Sequence, residues 1–164
     1  MGHPGCVCLP DPMLRRLVGT VAARLPLKSF GFLVSDGPTR RPVDFVLFEQ
    51  NLRNGERWRG EFEAYGKYFV EHDDAGFVAE PAESLRLQRL LMATGMSEVA
   101  VFHSHRRHPG SFSRIDYEMH RSRFGGLWHL IISMRNPLIP QVRAFAPGPA
   151  GVDELEVRVT DDPR

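Results

Sequence analysis

The chain has 164 residues, 42% of them hydrophobic and 25% charged, with a formal net charge of +1. That composition describes one ordinary globular domain, large enough to bury a core without disulfides. The near-neutral balance argues against nucleic acid and against an anionic membrane surface as partners, and no apolar run reaches the ~20 residues of a membrane-spanning helix.

No basic stretch followed by an apolar one opens the chain, so we expect no secretion signal and a cytoplasmic location. Cys6 and Cys8 are too close together for a disulfide across a fold. With His3 they offer three metal ligands and lack a fourth. Residues 1–10 therefore read as a flexible segment and 11–160 as one folded domain. Asp11 before Pro12 suits a helix start, with Asp11 as N-cap and Pro12 at the first helical position. Apolar residues at helical spacing continue it over 13–25, and Pro26 ends it. Residues 30–34 read as a buried strand, stopped by Ser35-Asp36-Gly37-Pro38, and 43–48 as its hairpin partner.

Residues 51–76 are rich in Arg, Glu and Gly with aromatics interleaved, and carry no clear period. Within them, 65–70 fit a short edge strand. An acidic first turn at Glu80 to Glu83, an apolar stripe of Leu85, Leu87, Leu90 and Leu91, and Gly95 as the stop predict a helix. Residues 97–105 follow as a strand. A loop and a helix over about 113–123 come next, then strands at 127–133, 140–145 and 154–159. The last residues, 161–164, should fray. The result is a mixed α/β fold with helices flanking a sheet.

His103 and His105 stand one residue apart on a predicted strand. Strand side chains alternate with period two, so both imidazoles share a face. Asp116 arrives from the next element and completes two nitrogens and one oxygen, a three-ligand zinc set with its fourth position open. An open position is the mark of a catalytic site, because zinc brings the ionisation of water near neutral pH. Asp116 has a second role open to it, since Ser113-Arg114-Ile115-Asp116 also fits a helix capping box. His120, four residues on, shares its helix face and could be a substitute ligand, act behind the ligands or sit on the surface. His108, a loop residue before a Pro, could approach the pocket or serve only the turn. His129 reads as a core residue.

The run from His103 to Asp116, H-S-H-R-R-H-P-G-S-F-S-R-I-D, resembles the H-S-H-P-x6-S-x-x-D motif of the JAMM/MPN metalloproteases. Its His108-Pro109 looks most like prokaryotic members associated with ThiS/MoaD-like sulfur carrier proteins. The resemblance implies a single MPN-like domain with a mostly antiparallel, curved sheet flanked by helices, a cytidine-deaminase-like architecture. It further implies that His103, His105 and Asp116 bind Zn2+ and that Ser113 donates a hydrogen bond to the tetrahedral oxyanion. The implied substrate is the bond after the C-terminal Gly-Gly of a ubiquitin-like or sulfur-carrier protein.

Two departures stand out. Arg106 replaces the motif's Pro, and Lys28 occupies the position of the catalytic Glu when P-x-E-x-C-G is aligned on residues 26–31. A lysine takes a proton from water only if desolvation or a nearby cation lowers its pKa. Glu49, at the end of a predicted strand, is the other candidate base, although an inward Phe48 would turn it away from the core. If neither serves, the chain is a module that binds a carrier tail without cleaving it. Arg106, Arg107 and Arg114 form a basic rim that is either a solvated loop or an anchor for a carboxylate-bearing tail. Trp58, Phe62, Tyr65, Tyr68 and Phe69 divide between groove and core. Deamination is disfavoured, because there is no Pro-Cys-x-x-Cys and no acid directly after a metal histidine.

Overall fold

All six residues of β2 (Phe30–Ser35) are buried, as an unbroken apolar run predicts for a strand covered on both faces. Leu33 packs into a core that includes Leu17 and Val21 of α1 (Asp11–Ala23), while Phe30, Phe32 and Val34 pack with Leu91 of α4 (Pro81–Thr94). Its antiparallel neighbour β3 (Asp44–Leu47) is the expected hairpin partner. A Cβ on Gly31 would meet the Val46 carbonyl at 2.0 Å, so only glycine lets the two strands approach so closely here.

The computed structural model describes residues 5–161. One seven-stranded sheet runs through it in the order β1-β7-β6-β5-β4-β2-β3. The remaining strands are β1 (Cys6–Pro10), β4 (Ser97–His105), β5 (Trp128–Ser133), β6 (Gln141–Gly148) and β7 (Gly151–Thr160). The pairs β1/β7 and β4/β5 are parallel and the other four are antiparallel. Helix α5 (Arg114–Arg123) links the parallel pair β4 and β5. This βαβ unit brings the carboxyl end of β4 next to the N-terminus of α5, the end at which α/β sheets hold their ligands.

Several local expectations need correction. Cys6–Pro10 is a strand rather than part of a loose segment: it runs beside Glu156–Thr160, with Val7 and Leu9 buried in the core. Residues 1–4, His3 among them, and 162–164 lie outside the described residues. Asp11 is the first helical residue of α1, not its cap, and binds Arg15 one turn on.

Residues 65–70 form no edge strand. They belong to a small lobe in which a 3-10 turn (Leu52–Asn54), α2 (Glu56–Glu63) and α3 (Lys67–Glu71) surround Phe62, Phe69, Val78 and Met119. Arg53 is buried inside this lobe, 2% exposed. It donates to the carbonyls of Phe69 (2.7 Å) and Ala75 (2.9 Å) and lies 4.8 Å from the Phe62 ring centre.

Helix α4 has the expected bounds, with Glu80 accepting from the amides of Ala82 and Glu83 and Gly95 closing it at φ 68°. Its stripe is only half inward. Leu87 and Leu91, four residues apart, face the sheet, while Leu85 and Leu90 are each 53% exposed.

Candidate metal centre

The alternation of β4 puts His103 and His105 on one side and Ser104 on the other. Ser104 is more than a spacer. Its amide donates to the Ser29 carbonyl and its hydroxyl accepts from the Ser29 amide, both at 2.8 Å. These bonds extend the β2–β4 ladder one residue beyond the Phe30–His103 pair. They fix the chain at the position that leads Lys28 into the cleft shared with His105 and Asp116.

Asp116 comes from the first turn of α5, and the capping box is present in full. Oδ2 of Asp116 accepts from the Ser113 amide (2.9 Å) and hydroxyl (2.7 Å). Oδ1 is turned toward β4 and lies 3.3 Å from His103 Nε2. The two roles open to Asp116 are therefore compatible, one oxygen capping the helix and the other facing the histidines. In this arrangement the Ser113 hydroxyl spends its proton on Asp116 rather than on an oxyanion.

His103 Nε2 and His105 Nε2 are 2.8 Å apart, and one ligand atom from each of His103, His105 and Asp116 falls within 4.8 Å of the others. His105 Nδ1 is 2.8 Å from the Pro109 carbonyl. A carbonyl only accepts, so the proton sits on Nδ1 and Nε2 presents a lone pair.

Burial, with His103 and Lys28 nearby, lowers the His105 pKa to about 3. Burial lowers His103 as well, against the pull of Asp116. Burial alone would raise the Asp116 carboxyl, yet His103 and the Ser113 hydrogen bonds hold it well below the usual carboxylate range. Two buried imidazoles and an ionised carboxylate thus converge on one point. Two nitrogens and a carboxylate oxygen are a donor set that fits a divalent ion of the zinc type.

The centre opens into a cleft of about 900 Å³. Lys28 lines it, with Nζ donating to the Asp74 carbonyl at 3.1 Å. Burial lowers the Lys28 pKa, opposed by Asp116 and Asp74. Glu49 is not at the site: its exposed carboxylate pairs with Arg24 at 3.0 Å, because Phe48 is buried and turns its neighbour outward. Arg106 and Arg114 line the cleft, as do Tyr65, Tyr68 and Phe69. Trp58 and Phe62 pack in the core of the lobe instead. His108 reaches the cleft and bonds the Tyr68 hydroxyl at 2.8 Å.

His129, a core residue by its sequence context, also has a partner at the site. It is buried, and its Nε2 lies 2.6 Å from His103 Nδ1. His103 pairs with Ile131 across the parallel strands, so His129, two residues before Ile131, shares the face of His103. That register is the signal that could have found it.

The family model for prokaryotic homologs of the JAB domain matches residues 10–145. The chain belongs to this family. The span matched to the JAB domain holds Lys28, all three candidate ligands and His129. Solved structures share the fold. A protein of Desulfitobacterium hafniense is 21% identical with a TM-score of 0.65, over 95% of this chain and 94% of that one. One from Salinibacter ruber is 21% identical with a TM-score of 0.57, over 94% and 92%. A JAB1/MPN domain protein of Archaeoglobus fulgidus is 14% identical with a TM-score of 0.50, over 94% and 98%. No curated protein matches the chain. Among the described residues of this JAB domain, no helix is long and apolar enough to cross a membrane.

Proposed function

We propose that this JAB domain is a zinc-dependent peptidase that cleaves the peptide or isopeptide bond after the C-terminal Gly-Gly of a ubiquitin-like or sulfur-carrier protein. The observation that carries this reading is the convergence of His103, His105 and Asp116, one ligand atom of each within 4.8 Å of the others, beside an open cleft. These three atoms would hold the ion. Zinc supplies Lewis acidity, which brings the ionisation of water near neutral pH and polarises a carbonyl.

The remaining work falls to the chain. Lys28 Nζ, kept below its ordinary pKa by burial, takes a proton from water and returns it to the leaving amine. Ser113 steadies the Asp116 carboxylate through Oδ2 and leaves Oδ1 for the ion. Tyr65, Tyr68 and Phe69 offer a flat wall to an extended tail, and glycines, lacking side chains, lie closest to it. Arg106 and Arg114 suit an acidic carrier surface.

The test is incubation of zinc-loaded protein with a carrier extended beyond Gly-Gly, read by intact mass. We expect the extension to be removed, His103→Ala to abolish removal, and Lys28→Met to slow it by roughly 100- to 10,000-fold. An unchanged carrier with fully loaded protein overturns the proposal. Cleavage that appears only in Lys28→Glu would mark the native chain as a binder of tails.

A further inference from the structure

Three buried histidines stand in series behind the metal centre. His103 Nδ1 is 2.6 Å from His129 Nε2, His129 Nδ1 is 3.0 Å from His120 Nδ1, and His120 Nε2 is 3.0 Å from the Leu127 carbonyl. Apolar rings enclose the series. Phe112 lies 5.2 Å from His129 and 6.3 Å from His120 between ring centres, Phe124 lies 5.9 Å from His120, and Phe77 lies 5.4 Å from His103.

We propose that the Leu127 carbonyl, acting through His120 and His129, locks His103 in the one tautomer that offers Nε2 to a divalent cation. His120 and His129 are positioning residues, and the inference rests on His103 being a metal ligand. The order of protons follows from the end of the series. A carbonyl only accepts, so a neutral His120 carries its proton on Nε2 and accepts at Nδ1. His129 must then donate from Nδ1 and accept at Nε2. His103 must donate from Nδ1, which leaves Nε2 bare.

The competing state has His103 Nε2–H donating to Asp116 Oδ1, 3.3 Å away, where it would block the ion. Reaching that state sets two lone pairs against each other at the His103–His129 contact. Relieving the clash requires His129 and then His120 to change tautomer as well. The final arrangement puts a lone pair of His120 Nε2 against the Leu127 carbonyl.

The experiment reads ring nitrogens directly. Long-range proton–nitrogen correlation spectra of the 15N-labelled, metal-free protein should show His103 and His129 protonated on Nδ1 and His120 on Nε2. His105, held by Pro109, serves as an internal reference for Nδ1 protonation. His120→Leu should shift His103 toward Nε2–H and weaken zinc binding by roughly 10- to 100-fold in competition with a chromophoric chelator. His129→Leu should weaken it likewise. His129→Gln, whose carbonyl oxygen can accept from His103 Nδ1, should restore it.

Nε2-protonated His103 in the native protein overturns the proposal. So does His120→Leu with unchanged tautomers and unchanged zinc affinity. Native protein with the expected tautomers that takes up no zinc supports the ordered series and overturns the metallopeptidase reading instead.

Discussion

Ser113 joins helix formation to ligand geometry through one hydroxyl. It accepts from the Asp116 amide at 3.2 Å and donates to Asp116 Oδ2 at 2.7 Å, so the group that starts α5 also aims the carboxylate. Ser113→Ala should cost about 1 kcal/mol of stability, the usual loss for an N-cap. It should also weaken zinc binding by roughly 10-fold or more, since an oriented partner behind a ligand is lost. Urea unfolding and chelator competition would show the two effects separately, and Ser113→Thr should keep both.

The candidate ligands are legible in the sequence because their logic is local: period-two spacing places His103 with His105, and a capping box names Ser113 and Asp116. His129 is not, because its role depends on a strand register spanning 26 residues. Glu49, a candidate base in the sequence, is turned away from the cleft because it and the buried Phe48 take opposite sides of the strand. The Ser113 hydroxyl donates to Asp116 Oδ2, a direction that a motif, which states only the residue present, does not give.

The lobe of α2 and α3 has no clear hydrophobic period in its sequence. Residues 65–70 have an aromatic, strand-like composition, but the segment is short, and its Phe69 is drawn into a core with Phe62 and Met119. Packing decided the conformation there, not propensity. The same lobe depends on Arg53, whose guanidinium ties the carbonyls of Phe69 and Ala75 together. Asp74, the partner of Lys28, lies between those anchors in sequence. Arg53→Met would leave buried carbonyls without a charged donor, at a cost of about 3 kcal/mol. Hydrogen exchange should quicken over residues 69–76, and the midpoint of urea unfolding should fall. Unchanged exchange there would show that the lobe holds itself without Arg53. The apolar stripe of α4 was overread for a related reason: helical spacing marks a face, but only Leu87 and Leu91 of that face meet the sheet.

For the whole molecule, the strand and helix order was readable because hydrophobic period and Pro/Gly punctuation agree along most of the chain. The pairing of first strand with last was not, since no local signal announces a partner 150 residues away. The buried titratable groups give the metal-free protein a pH profile of definite sign. His105 falls from an ordinary 6.5 to about 3 on folding, and His103 and His129 shift in the same direction. The unfolded chain therefore binds more protons below about pH 6.5. Stability from these groups is full above that value and is lost as pH falls toward 3. Asp116, depressed from 3.8, adds a further loss as pH drops below its unfolded value. Lys28, lowered from 10.5, has the same sign, since its unfolded form holds a proton across the neutral range. The urea midpoint of metal-free protein should be clearly lower at pH 5 than at pH 7.5, and a flat profile would contradict the burial of neutral imidazoles.

The pairing of Cys6–Pro10 with Glu156–Thr160 also bears on how the molecule can be handled. A truncation beginning at residue 11, the natural cut for anyone who takes the leading residues for a dispensable tail, would remove Leu9 from the core and strip β7 of its outer neighbour. The bared row of amides and carbonyls would invite strands from other copies to stack on it. Such a shortened protein would tend to clump for reasons unrelated to the candidate metal site.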